Sequence, residues 1–482
     1  MDEAEYLAQD ALGLAALLRR GETTPEALLD RALARAGRWD GALNALTAPV
    51  PEIARARIAA GLPDGPLRGV PFLLKDLGCE AVDYPSSGGS RLLADTRWPR
   101  DSWLWERLQA TGLVAFGRTT APEGGVGVAT EAAVYGGPTR NPWDLSRTPG
   151  GSSGGAAAAV AAGITPAAHG SDGGGSIRIP ASCCGLFGFK ATRARLPDGP
   201  YAGEGWAGMA IEGFLTRSVR DCAALMDAVS GPDAGAPYWA PPLAEGFAAA
   251  IARPPLRLRV AVSDRAPDGS AVHPDCAGAL RDASRLLESL GHHVEEAAPA
   301  LDLFGLMRAW TDIVACGTAS WVRAAERKRG RPRAPGEIEP VAEAALRHAA
   351  TLAGADYLDA VETVHDVGRA AAPFFERWDA FLTPTLAEPP ARIGRFAHSA
   401  FDDFLAYRLG PEGVLAYSPF TAQWNATGQP AVSLPLGTSA EGLPIGVQIA
   451  APFGADETLM ALCAEIEAAA PWFDRRPPDP EI

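Results

Sequence analysis

The sequence predicts an α/β protein, a single unit with a central mixed β-sheet flanked by helices. Two observations carry this. Short apolar runs alternate with helical stretches and Gly-rich turns over 66–232, and strand-like runs return after 430 with no internal repeat between. A length of 482 residues would allow about three domains, but the late strands are expected to rejoin the first sheet.

Residues 1–60 read as helices. Leu12, Leu14, Leu17 and Leu18 lie on one apolar stripe, Gly21-Glu22-Thr23-Thr24-Pro25 interrupts it, and Leu28, Leu29, Ala32 and Leu33 begin the next. Thr24 before Pro25 is a helix start, because a proline at the first helical position has no amide to leave unpaired. Val70–Leu74 reads as a buried strand ending at Lys75-Asp76. Trp103–Thr111 is a helix stopped by Gly112, and Leu113–Phe116 is the next strand. The Ala-rich helix Ala156–Ala162 leaves a Gly-Ser loop, and the strand Thr165–His169 opens into Gly170-Ser171-Asp172-Gly173-Gly174-Gly175-Ser176. Residues 233–256 are a Pro- and Ala-rich connector. Leu258–Val262 is a strand, and Asp275–Leu290 a helix with Ala279, Leu280, Ala283, Leu286, Leu287 and Leu290 on one face. Residues 301–382 are mostly helical, interrupted over 330–340. Ala431–Leu436 and Ile445–Ala450 are strands before a last helix.

Charge and composition exclude several function classes. The net charge is −15 and the pI about 5.0, whereas nucleic-acid binding needs a basic face to neutralise phosphates. The cluster Arg323, Arg327, Lys328, Arg329, Arg331 and Arg333 reads as a solvated helix end. No uncharged apolar run approaches the roughly 18 residues of a membrane helix. Seven cysteines without a secretory leader point to free thiols in a reducing cytoplasm.

Three segments carry chemistry. Gly69-Val70-Pro71-Phe72-Leu73-Leu74-Lys75-Asp76 places an ammonium at the end of an apolar strand. Lysines there commonly reach out to water; kept buried, one loses its proton more easily and becomes a base. Thr148-Pro149-Gly150-Gly151-Ser152-Ser153-Gly154-Gly155 is either a Gly-Ser linker with Ser153 capping the next helix or a loop that presents Ser152. In the third, glycines before Ser176 leave its hydroxyl approachable and several amides free to meet an oxyanion, a term worth about 3 kcal/mol per donor. None of the seven histidines stands in a triad context. A Ser-Lys arrangement is the alternative, with Lys75 taking a proton from Ser152 and Ser152 from Ser176.

These segments resemble the amidase signature family. So do Ser176-Ile177-Arg178-Ile179-Pro180-Ala181, Cys184-Gly185-Leu186-Phe187-Gly188-Phe189-Lys190, Leu215-Thr216-Arg217-Ser218-Val219-Arg220-Asp221, Gly428 to Pro435 and Gly442 to Gln448. The resemblance covers nearly the whole chain. It implies a single amidase-signature-type domain, with an N-terminal helical segment over 1–65 and a catalytic core over 66–482 that carries a variable helical insert at about 301–420. It implies a Ser–cis-Ser–Lys triad: Ser176 as nucleophile, Ser152 bridging in a cis peptide, Lys75 as base. Gly173, Gly174, Gly175 and the Ser176 amide match the oxyanion loop. It implies a small-molecule amide as partner and a homodimer; neither metal nor cofactor is expected, and charge and composition speak for no nucleic acid and no membrane. The stretch from Gly170 to Cys184 looks most like the 6-aminohexanoate cyclic-dimer hydrolase subgroup, which implies a pocket for medium-sized uncharged cyclic or linear amides. Cys316 falls where that subgroup places a pocket residue; a small core side chain is the plainer reading. Trp310, Trp321, Trp378 and Trp424 are core or pocket wall. Arg118-Thr119-Thr120 stands where the family often has Lys-Thr-Asn, a change expected to touch the pocket wall.

Rival readings remain. The same machinery serves the amidase subunit of glutamine-dependent tRNA amidotransferase, which works only with partner subunits, and it would serve an esterase or carbamate hydrolase. Gly150-Gly151-Ser152-Ser153-Gly154 formally fits a nucleophile elbow, but that needs a strand directly before the turn. Gly203-Glu204-Gly205-Trp206-Ala207-Gly208 formally fits a dinucleotide fingerprint and reads as a plain loop.

Overall fold

The structure is a computed structural model and describes residues 1–480 other than 48 and 254. Its strands are β1 (Leu46–Thr47), β2 (Pro71–Lys75), β3 (Val114–Thr119), β4 (Ala167–Asp172), β5 (Phe187–Lys190), β6 (Ile211–Thr216), β7 (Arg259–Val262), β8 (His293–Glu296), β9 (Ala380–Pro384), β10 (Ala431–Thr438) and β11 (Pro444–Ala450). They form one sheet in the order β1-β3-β2-β4-β6-β5-β10-β11-β9-β7-β8. β2 is parallel to β3 and β4, and β7 to β8 and β9; the pairs between β4 and β9 are antiparallel. The sheet is therefore mixed, and the late strands do rejoin it.

All five residues of β2 are buried, the apolar run Pro71–Leu74 and then Lys75, as a strand covered on both faces must be. Thr24 caps the helix Pro25–Leu43 through the Ala27 amide. The helix Gly154–Ala161 is buried on every side. Its side chains are almost all methyls, so it fits within a hydrophobic layer that a bulkier helix could not enter. Helix Leu303–Arg329 packs against both Pro340–Ala349 and Gly354–Arg377. The basic cluster lies at the end of the first of these and beyond it, where Arg329, Arg331 and Arg333 pair with Glu326, Glu337 and Glu343.

Several boundaries differ from the sequence reading: β1 lies inside the stretch 1–60 read as helices, and the strands expected at Leu113–Phe116 and Ala431–Leu436 run on to Thr119 and Thr438. The strand expected at Thr165–His169 runs from Ala167 to Asp172, because Ser171 and Asp172 pair across the sheet with Glu212 and Ile211. The helical stretch expected to 382 ends at Arg377, and Ala380–Pro384 joins the sheet as β9. No helix among the described residues is long and apolar enough to cross a membrane.

Candidate active site

Lys75, at the end of β2, touches Ser152, and Ser176 follows in the turn after β4. Lys75 is fully buried, and its Nζ lies 2.7 Å from Ser152 Oγ and 3.0 Å from Ser171 Oγ. Ser152 and half-buried Ser176 line one cavity of about 240 Å³. The Gly151–Ser152 peptide is cis. Ser153 does not cap the helix that follows: its hydroxyl donates to the Ser171 carbonyl at 3.2 Å. No strand directly precedes Ser152, so the elbow geometry is missing.

Burial lowers Lys75 to about 7, against the opposing pull of Glu212 and Asp172. Burial likewise raises Glu212 to about 7, opposed by Lys75 and Arg118. His169 links the two. Its Nδ1 accepts the Lys75 amide at 3.2 Å, so the proton sits on Nε2, 2.7 Å from Glu212 Oε2. The ring is fully buried, and burial together with the charges of Arg118 and Lys75 holds it neutral.

The turn that presents Ser176 is clamped from below. Asp172, at the end of β4, accepts the amides of Gly175 (2.6 Å) and Ile177 (3.2 Å). Its carboxylate also pairs with Arg178 at 3.0 and 3.1 Å, and Asn425 donates to it at 2.9 Å. Arg178 in turn reaches the Thr421 carbonyl, Gln448 and Asn425. The three glycines are required by close approach. A Cβ at Gly173 would stand 2.6 Å from the Trp206 ring, at Gly174 2.2 Å from Trp310, and at Gly175 2.6 Å from Thr421 Oγ1. The Gly175 amide is thus engaged by Asp172, whereas those of Gly173, Gly174 and Ser176 have no acceptor among the described residues.

Other residues follow the sequence reading only in part. Arg118 is buried and donates to the carbonyls of Lys75, Gly78, Cys79 and Tyr84, so it braces the end of β2 and does not line the cavity. The loop 203–208 covers the site: Gly205 and Trp206 line the cavity, and Trp206 meets Trp310 edge-on at 6.3 Å. Cys316 lines a second cavity of about 710 Å³ that shares Trp206 with the first. Trp378 and Trp424 are core, and Trp321 packs beside Gly124. Gly124 and Gly125, missed in the sequence, also line the reactive cavity; the Gly-Gly pair was their only signal.

A family model described as Amidase matches residues 27–460. The chain belongs to the amidase signature family. It is 37% identical over 479 residues to a 6-aminohexanoate-cyclic-dimer hydrolase of Paenarthrobacter ureafaciens, covering 98% of this chain and 97% of the relative. A solved structure of 6-aminohexanoate cyclic dimer hydrolase complexed with substrate superimposes with a TM-score of 0.92 at 36% identity, covering 98% of this chain and 99% of that one. A bacterial aryl acylamidase of the amidase signature family follows at 0.87 and 29%, covering 97% and 98%. This amidase is therefore a hydrolase of carbon–nitrogen amide bonds, and the large mixed sheet flanked by helices is the family's architecture.

Proposed function

We propose that this amidase hydrolyses small to medium linear or cyclic amides through an acyl-enzyme, with Ser176 as nucleophile, Ser152 as bridge and Lys75 as base. The observation that carries the reading is the 2.7 Å contact between Lys75 Nζ and Ser152 Oγ beside a cavity that Ser176 also lines. A lysine lowered to about 7 is in large part a neutral amine in mildly alkaline solution. Neutral Lys75 takes the Ser152 proton while Ser152 takes that of Ser176, and Ser176 Oγ adds to the amide carbonyl. The oxyanion meets the amides of Gly173, Gly174 and Ser176, with Gly175 shaping the loop through Asp172. The relay returns the proton to the nitrogen, the C–N bond breaks, and water enters by the same path to release the acid. The substrate range rests on likeness to the 6-aminohexanoate-cyclic-dimer hydrolase. A part for Cys316 requires a substrate long enough to pass Trp206. Seven free cysteines, six of them buried, fit a cytoplasmic setting.

Fluorophosphonate labelling with peptide mapping tests the scheme. The label is expected on Ser176, and Ser176→Ala is expected to lose at least about 10⁴-fold in turnover. A label on Ser152, or normal turnover in Ser176→Ala, would overturn it.

A further inference from the structure

The cavity that holds Ser152 and Ser176 is lined by three carboxyl side chains, Glu80, Asp198 and Glu212, and among the described residues by no Lys, Arg or His. They arrive from separate segments: Glu80 just beyond β2, Asp198 in the loop after β5, and Glu212 on β6. Glu212 has His169 as its partner. Glu80 and Asp198 are half-buried, and among the described residues no other residue donates a hydrogen bond to either carboxyl. Burial and then the neighbouring carboxyls raise both, Asp198 to about 8. The remaining wall is largely apolar, with Leu77, Leu104, Pro197, Ala202, Trp206 and Ile211.

Unpaired carboxyls in an apolar pocket are costly, and a bound cation removes that cost while an anion adds to it. We propose that the preferred substrate is an amide bearing a protonated amine, separated from the scissile bond by a short aliphatic chain, with Glu80 and Asp198 receiving the ammonium. The aliphatic wall takes the chain. This rests on the reading of Ser176 as nucleophile in the same cavity, and it replaces the uncharged substrate that the family resemblance implied.

Ammonia release from 6-aminohexanamide and from its neutral isostere heptanamide, under one set of conditions, tests the proposal. The ammonium amide is expected to have a kcat/KM at least about tenfold higher. That ratio is expected to fall toward one in a folded Glu80→Gln/Asp198→Asn variant, or in Asp198→Asn alone should the double variant not fold. A ratio of one or less in the native protein, or an unchanged ratio in the folded variant, overturns it. If neither amide is hydrolysed, calorimetric binding to Ser176→Ala decides. Tighter binding of the ammonium amide by about tenfold supports the proposal and leaves the failure with the nucleophile assignment; equal or weaker binding overturns the proposal.

Discussion

Two lysines end two strands of the same sheet, and both are fully buried: Lys75 closes β2 and Lys190 closes β5. Burial lowers each to about 7. Their partners differ. Lys75 Nζ reaches the hydroxyls of Ser152 and Ser171 beside the cavity, whereas Lys190 Nζ donates to the carbonyl of its neighbour Ala191 at 2.9 Å. Burial supplies the weakened hold on a proton; a hydroxyl within reach, itself beside a substrate cavity, is what turns that into chemistry. A lowered pKa alone would nominate both lysines, and only one has something to deprotonate.

Replacing each lysine by methionine breaks the comparison most directly. Lys75→Met is expected to lose about 10²–10⁴-fold in amide turnover, the range of a positioned general base. Lys190→Met is expected to stay within the same order of magnitude as the native protein. The Lys75→Met loss should be smaller on activated esters, whose leaving groups need no proton. Stability should treat the two alike. Each lysine holds its proton less tightly folded (about 7) than at the ordinary 10.5. Between those values the unfolded chain binds more protons, so stability rises with pH across that window. Urea unfolding at several pH values should show that rise diminished in both methionine variants. Equal catalytic losses would mean that hydroxyl contact does not distinguish the lysines.

Asp172 is a lever that the two lysines share, since its charge raises both. Its pair with Arg178 is wholly buried. Asp172→Asn leaves Arg178 without its counter-charge, and a loss of about 3–5 kcal/mol is expected in urea unfolding. The variant should also label more slowly at Ser176, because the amides of Gly175 and Ile177 lose the carboxylate that holds the turn. Unchanged stability would show that the clamp contributes little.

What could be read from the sequence follows the distance over which each feature is encoded. Lys75, Ser152, Ser176 and the three glycines sit in contiguous motifs, and the strand ending at Lys75 shows in five consecutive apolar or strand-end residues. The acidic lining does not. Glu212 stands near Lys75 because β4 lies between β2 and β6, in a register that sets Ser171 opposite Glu212. No local pattern carries that register. Ser171 and Asp172 read as loop because glycines follow them, yet pairing with β6 keeps them in the strand. β9 escapes for a related reason: a five-residue stretch such as Ala380–Pro384 after a long helix has no periodicity to separate it from that helix. Trp206 lies in a Gly-rich loop with no regular structure, and only the folded chain brings it over Gly173.

Glu212 is a lever private to Lys75. Its charge opposes the burial of Lys75 and is not among the groups acting on Lys190. Glu212→Gln keeps a carbonyl to accept His169 Nε2–H, so the link through His169 to the Lys75 amide survives. The charge goes, and Lys75 falls below about 7. The active form of a base is the neutral one, so the rising limb of kcat/KM should move to lower pH, by about one unit. A neutral amide such as heptanamide is the substrate to use, because it keeps the charge of the cavity wall out of the measurement. At pH values well above the limb the rate should change little, so the effect is confined to the position of the limb. A limb that moved to higher pH would mean that Glu212 lowers Lys75, and one that did not move would place the titrating base elsewhere. Unfolding followed in parallel should leave the Lys190 contribution where it was, since no part of that site includes Glu212.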